Sequence, residues 1–213
     1  MQFVEGRSPR GSFGADFEAL IAAARAGRPE AWERLYRALA PPVTGYLRMQ
    51  GAAEPDDLTS EVFLGLFRGI ATFTGDAAGF RSWVFVMAHR RLQDERRRRA
   101  RRPRLAARDV ETGPTRVAPA RSAEDDALRA LATDRVYSVC AQLVPDQRDV
   151  VLLRILGDLT VEQVAAVVGK SAGAVKQLQR RGLEAIRRLS NGGARTAEAQ
   201  AGRTDRRREG VPL

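Results

Sequence analysis

The sequence predicts an all-α protein of two small helical domains joined by a flexible linker, the C-terminal one a helix-turn-helix. Three observations predict it. Apolar residues recur at spacings of three and four through residues 15–102 and 124–190, and no alternating run of useful length occurs. Between them, residues 103–123 (PRLAARDVETGPTRVAPARSA) hold three prolines and a glycine with no sustained apolar period, the composition of a linker. The third observation is a pattern of capping residues and glycines around residues 160–171 that punctuates two short helices.

The elements follow in order. Residues 1–14, rich in Gly, Ser and Arg, read as a disordered N-terminal tail. Phe17, Leu20, Ile21 and Ala24 then form one helical face, and Gly27-Arg28-Pro29 breaks the chain, with Pro29 suited to the first turn of the next helix. That second helix places Trp32, Leu35, Tyr36 and Leu39 on one side. Pro41 and Pro42 interrupt it, and Val43, Tyr46 and Leu47 continue the apolar series in a following segment. A third helix starts near Pro55-Asp56-Asp57, where acids complement the positive end of the helix dipole. Leu58, Val62, Phe63, Leu66, Phe67 and Ile70 line its inner face, and Asp56, Asp57, Thr59, Ser60 and Glu61 occupy the other. After a Gly/Thr/Asp loop over 72–79, Phe80, Trp83, Val84, Met87 and Leu92 begin a fourth helix, which runs into the basic stretch RRRRARR at 96–102.

In the second domain, Leu128, Leu131, Val136, Val139 and Leu143 mark a first helix. Pro145 and Asp146 open a second, with Val150, Val151, Leu153 and Ile155 apolar and Gly157 at its end. Thr160 is the N-cap of a short helix, and Gln163 three residues on completes a capping box. Val161, Val164, Ala165 and Val168 form that helix's packed face. Gly169 supplies the left-handed residue that ends it, and Ser171 caps the next helix, whose buried stripe is Val175, Leu178, Ile186 and Leu189. Two helices joined by so short a turn cross steeply, leaving the N-terminal half of the second free to enter a major groove. Ser171, Lys176, Gln177 and Arg180 sit on that free half; Lys and Arg reach phosphates or guanine, and Gln pairs with adenine. Residues 191–213, polar and rich in Gly and Arg, read as a disordered C-terminal tail.

Composition narrows the function classes. A formal charge of +10 favours a polyanionic partner. One cysteine, Cys140, excludes an intrachain disulfide, and it reads as a small apolar packing residue. With a lone His89 besides, no zinc site is expected, and no cofactor is implied. No run approaches the length of a membrane span and no signal-peptide pattern occurs, so the expected location is cytoplasmic and no membrane insertion is expected.

At this point the residues carry a resemblance. The run LVPDQRDVVLLRILGDLTVEQVAAVVGKSAGAVKQLQRRGLEAIRRL (143–189) resembles the C-terminal DNA-binding domain of bacterial sigma factors. DDLTSEVFLGLF (56–67), followed by FRSWVFVMAHRRLQDERRR (80–98), resembles their promoter-opening domain. The ordered pair, joined by a tether with no domain between, is similar to the extracytoplasmic-function (ECF) group. The resemblance implies an alternative sigma factor that binds core RNA polymerase and directs transcription initiation at promoter DNA. It implies that Asp56, Asp57, Leu58, Glu61 and Val62 meet the largest-subunit coiled coil, with a further contact at the flap region. It implies that the loop Phe73, Thr74, Gly75 and Asp76 holds a flipped minus-ten base, that Arg90, Arg91, Arg96 and Arg97 hold phosphates near the opened region, and that Ser171, Lys176, Gln177 and Arg180 read the minus-thirty-five element. An anti-sigma protein wedged between or around the domains is a further implied partner.

Two positions depart from the family pattern: Ser60 stands where Gln is frequent, which bears on a polymerase contact, and Arg90 stands where Asn is frequent, which bears on minus-ten reading. Trp83 reads as core in preference to a stacking platform. The basic stretch before the linker fits either template or nascent RNA, or a solvated charge run. A regulator that only occupies operators has no use for the Asp56–Val62 motif, and a recombinase needs a nucleophile with clustered arginines, which neither Tyr36, Tyr46 nor Ser82 provides. No catalytic residue is assigned.

Overall fold

In a computed structural model of the chain, the helices among the described residues pack around a core shared by both halves of the sequence. The structure describes residues 16–101 and 136–208, with side chains through 191. The expected tail at 1–14, the linker at 103–123 and the positions Leu128 and Leu131 lie outside the described residues. Among those described, the regular structure is helical and no strand occurs.

The first half contains α1 (Phe17–Arg25), α2 (Pro29–Met49), α3 (Pro55–Gly69), a 3-10 turn (Ile70–Thr72) and α4 (Ala77–Arg101). The four apolar positions of α1, Phe17, Leu20, Ile21 and Ala24, are all buried. The indole N–H of Trp32 donates to the carbonyl of Ala24 at 3.0 Å and ties α2 to α1 across the Gly27 turn, where φ is +73°.

Contrary to the expected break, α2 runs unbroken through Pro41 and Pro42. Proline inside a helix costs about 3 kcal/mol through a lost hydrogen bond and a clash with the preceding turn. Val43, Tyr46 and Leu47, beyond the prolines, are fully buried beside Leu35 and Leu39. Burial of each such side chain contributes roughly 1.5–3 kcal/mol, so tertiary packing outweighs the local penalty. Further expectations fail nearby: Thr59, placed on the outer face of α3, is buried, and Tyr36, placed on the packed side of α2, is exposed. Phe67 is 59% exposed instead of lining the inner face of α3. The fourth helix starts at Ala77, three residues before Phe80, because the Asp76 carboxylate accepts from the Gly79 amide at 2.7 Å and caps it there.

The second half contains α5 (136–141), α6 (Pro145–Ile155), α7 (Val161–Val168) and α8 (Ala172–Arg208). Thr160 and Gln163 form the complete capping box: the Gln163 amide donates to Thr160 Oγ1 at 3.2 Å, and the Thr160 amide to Gln163 Oε1 at 2.8 Å. Replacing Thr160 by Ala is therefore expected to lower stability by about 1 kcal/mol, read as a shift of the urea midpoint without a change in slope. Gly169 ends α7 in the left-handed region, with φ at +66°. Ile155, expected on the packed face of α6, is 62% exposed at its end.

The backbone of α8 remains helical to Arg208, so much of the expected disordered tail at 191–213 is helix. The physical reason is propagation: once the packed segment up to Leu189 pays for nucleation, each added Ala, Arg, Glu or Gln extends the helix at little cost, and three glycines do not stop it.

The two halves also touch, which a tethered pair does not require. α6 rests on the end of α2, with Leu156 Cδ1 within 3.8 Å of a Cβ built on Gly45, and α7 rests on the start of α4. A tether permits separation but does not enforce it.

Candidate nucleic-acid interface

The outward face of α8 is built from its own periodicity. Val175 is fully buried against α6 and α7, and Leu178 packs partly behind it. Lys176, Gln177 and Arg180 consequently point to solvent, and all three are exposed. Ser171 is exposed too, and its Oγ accepts from the Ala174 amide at 3.2 Å, so it serves as the helix cap while its hydroxyl proton remains available to an anion. The first turn of α8 carries no acid, leaving the positive end of the helix uncompensated. Arg180 meets Glu184 at 4.0 Å, an exposed pair of little energetic weight. A shallow groove along this face also includes Gln179, between Lys176 and Arg180, and Arg187, about two turns beyond Arg180, both of which the sequence reading missed.

The loop between the 3-10 turn and α4 forms a second surface. Thr74, Gly75 and Asp76 are exposed, whereas Phe73 is half-buried and stacks on Trp83 with ring centroids 5.3 Å apart and planes at 16°. Phe80 meets both rings edge-on. Trp83 backs this cluster, in keeping with a packing role. Gly75 has φ at +146°, and a Cβ there would sit 3.2 Å from the Phe73 ring, so glycine is required by both backbone and space. Arg25, absent from the sequence-derived set, holds the loop from α1: its Nε donates to the Ile70 carbonyl at 3.2 Å and its Nη2 to the Phe73 carbonyl. A last-turn arginine gave no sequence signal for this, because the partners lie 45 and 48 residues away.

The four arginines of α4 do not share one environment. Arg90 is exposed and has no ion pair among the described residues. Arg91 faces Glu61 on α3 at 3.6 Å, each side chain 41% exposed. Arg96 donates to the Gln50 carbonyl and Oε1 at 2.8 and 3.0 Å. Arg97 pairs with Asp94, whose carboxyl the arginine holds below the usual carboxylate range, first through the hydrogen bond. Among the described residues, Arg90 is thus the one of the four with neither an ion-pair nor a hydrogen-bond partner, unlike Arg91, Arg96 and Arg97.

On α3 the structure separates the expected polymerase-facing residues. Asp56 and Asp57 are exposed and Glu61 is partly so. Leu58 and Val62 are buried, at 5% and 0% exposure, because their i, i+4 spacing turns both toward the core; they cannot present side chains to a partner. Leu64 and Phe67 stand exposed on this helix instead, at 56% and 59%. With Trp32 and Tyr36 of α2 they line an apolar groove beside Ser60, and Trp32 and Phe67 contact each other at 5.1 Å.

Among the described residues no cluster of His, Cys, Asp or Glu able to hold a metal ion occurs, and no helix is long and apolar enough to cross a membrane. Burial raises the Cys140 thiol above its ordinary value, which keeps it protonated as a packing group.

Two exposed surfaces on two helical modules, one bearing Lys176 and Arg180 and the other close to Arg90, have the character that a DNA-binding protein presents. Comparison with known proteins identifies the family. Residues 35–102 match Sigma-70 region 2 and residues 141–188 match Sigma-70 region 4, together more than half of the chain. The chain is 36% identical over 174 residues to the ECF RNA polymerase sigma factor BldN of Streptomyces coelicolor, an alignment covering 80% of this chain and 64% of that protein. It is 27% identical over 180 residues to the ECF RNA polymerase sigma factor SigD of Mycobacterium tuberculosis, covering 82% of this chain and 84% of that one. Among solved structures, CnrH in complex with the cytosolic domain of CnrY has a similar fold, with a TM-score of 0.57, 22% identity, and coverage of 82% of this chain and 96% of that one. The chain belongs to the ECF group of RNA polymerase sigma factors.

Proposed function

We propose that this chain is an alternative sigma factor that binds core RNA polymerase, engages minus-ten and minus-thirty-five elements with its two modules, and directs transcription initiation in the cytoplasm. The single observation that carries this reading is the coexistence, on one chain, of an exposed recognition-helix face and an acidic and apolar protein-binding face on α3. The working modules are residues 15–102 and 124–190. Lys176, Gln177, Arg180 and Ser171 contact duplex DNA, and base edges supply the sequence choice while phosphates supply salt-dependent affinity.

The loop Phe73–Asp76 takes an unstacked minus-ten base, with Phe73 and Asp76 as its structural frame and Thr74 and Gly75 as its open part. Arg90 is the first phosphate contact of α4, and Arg91, Arg96 and Arg97 join after releasing their present partners. Polymerase docks on Asp56, Asp57 and Glu61 with Leu64 and Phe67 as apolar anchors. No step is catalytic: the free energy of base capture and phosphate contact stabilises the melted region. RpoE from Bartonella quintana, similar in fold at a TM-score of 0.54 and 14% identity, has been solved in complex with the anti-sigma factor NepR. An inhibitor of that kind is a proposed partner here.

Run-off transcription with purified core polymerase, with and without the chain, on fragments of the host genome tests the reading. Promoter-dependent transcripts are expected only when the folded chain is present, and their absence would count against it. A narrower outcome concerns the loop frame. Arg25→Ala removes the bonds to Ile70 and Phe73, and is expected to weaken holoenzyme binding to a fork-junction minus-ten probe several-fold. Binding of a minus-thirty-five duplex should stay unchanged.

A further inference from the structure

One apolar surface of the first module has no cover among the described residues. Tyr36, Leu64 and Phe67 are 49%, 56% and 59% exposed, and with Trp32 and Phe63 they line a groove of about 700 Å³ between α2 and α3. A cleft of that size is large enough to bury apolar side chains from another segment. Contiguous apolar patches of this kind are uncommon on soluble proteins and mark binding surfaces. The rim is acidic: Glu33 lines the groove, and Asp56 and Asp57 stand exposed one turn before Ser60 on α3. The groove begins at Gly27, just beyond α1, and the first described residue, Asp16, stands at the other end of that helix. The rise from Phe17 to Gly27 amounts to about 15 Å.

Residues 1–15, which lie outside the described residues, have the chemistry and the length to fill it. They carry Arg7 and Arg10 against one acid, Glu5; Phe3 and Val4 stand together near one end and Phe13 near the other. Between them the segment is rich in Gly and Ser, the composition of a flexible tether. From Phe3 to Asp16 the tether is about 13 residues long, with a root-mean-square span of about 20 Å, close to the length of α1 that it must pass. Phe13 reaches about 10 Å from Asp16 at full extension and falls short of Leu64 and Phe67. A tether matched to the distance gives an effective concentration on the order of millimolar, so a weak contact suffices to hold the groove for a large share of the time. We propose that the N-terminal segment folds back over the α2–α3 groove of the free chain, with Phe3 and Val4 seated against Trp32, Tyr36, Leu64 and Phe67, and Arg7 and Arg10 beside Glu33, Asp56 and Asp57. The surface it covers is the one assigned above to polymerase, so tail and polymerase compete for a single face. That competition rests on the sigma reading; the fold-back itself does not.

The test reads the full chain in two ways. The chain has two tryptophans, so a Trp83→Phe background leaves Trp32 as the single indole and a reporter of the groove. Deletion of residues 2–14, or Phe3→Ala combined with Val4→Ala, is expected to raise acrylamide quenching of Trp32 fluorescence. Phe13→Ala is expected to leave it unchanged. With Trp83 restored, the deletion and the double variant are expected to bind core polymerase about two- to fivefold more tightly than the full chain, as follows when the tail covers the groove in about half to four-fifths of free molecules. Coincident thermal melts provide the folding control. Equal quenching in the full chain and the deletion overturns the fold-back, and an equal rise with Phe13→Ala overturns the seating of Phe3 and Val4. Quenching that falls with protein concentration and ignores the tail overturns it in favour of a second copy of the chain. Tail-dependent quenching with unchanged polymerase affinity supports the fold-back and overturns the assignment of this groove to polymerase. Failure of the full chain and the deletion alike to bind polymerase overturns the sigma reading, while the fluorescence result decides the fold-back independently.

Discussion

Lys176→Ala combined with Arg180→Ala is expected to abolish selection of the minus-thirty-five element while leaving polymerase binding intact. Both side chains are exposed one turn apart on the outward face of α8, behind which Val175 is fully buried. Each lost base contact reduces discrimination by roughly five- to a hundredfold, so the pair lowers specific transcription by about two orders of magnitude if their contributions add. Loss of phosphate contacts also flattens the salt dependence by about one unit of slope per residue. The Arg180–Glu184 pair is too exposed to alter folding when removed. Fluorescence anisotropy on a minus-thirty-five duplex, alongside co-elution with core polymerase, checks both parts. Loss of polymerase binding in the double variant would mean that the faces are wrongly assigned.

Gly182→Val is expected to unfold the helix-turn-helix module or to destabilise it by about 3 kcal/mol or more. Gly182 is buried where α8 crosses α6, and a Cβ built there lies 2.7 Å from Val151 Cγ2 and 3.5 Å from both Gln147 Cβ and the Gln147 carbonyl. A branched side chain must push the two helices apart, and overpacking costs typically 1–3 kcal/mol before the loss of contact around Val150, Val151 and Leu153 is added. That is a large share of the stability of a small domain. Thermal unfolding by circular dichroism should show the loss, with Gly182→Ala intermediate. A melting temperature unchanged in the valine variant would disprove the close crossing.

Much of the candidate site was legible because it is written in local chemistry. The capping box at Thr160 and Gln163, the left-handed Gly169 and the cap at Ser171 involve partners within four residues, so residue type and spacing specify them. The exposed faces of Lys176, Gln177 and Arg180 follow from the same periodicity that buries Val175. Arg25 was not legible, since nothing local distinguishes an arginine that grips a loop from one that is solvated. Leu58 and Val62 were assigned to a binding face by family resemblance, although their own spacing already directed them inward; the periodic reading was the better guide.

The fold class and the two modules were determined by the sequence alone, as was the position of the recognition helix, because helical periodicity and capping are interactions between near neighbours. Tertiary structure decided the rest. Core burial of Val43, Tyr46 and Leu47 carried α2 through two prolines, and Phe67 stayed on the surface with the half-buried Trp32 ring against it. Only the folded chain brought Gln50 to Asp149 across 99 residues, since a contact between distant segments depends on how whole surfaces match and has no period to read.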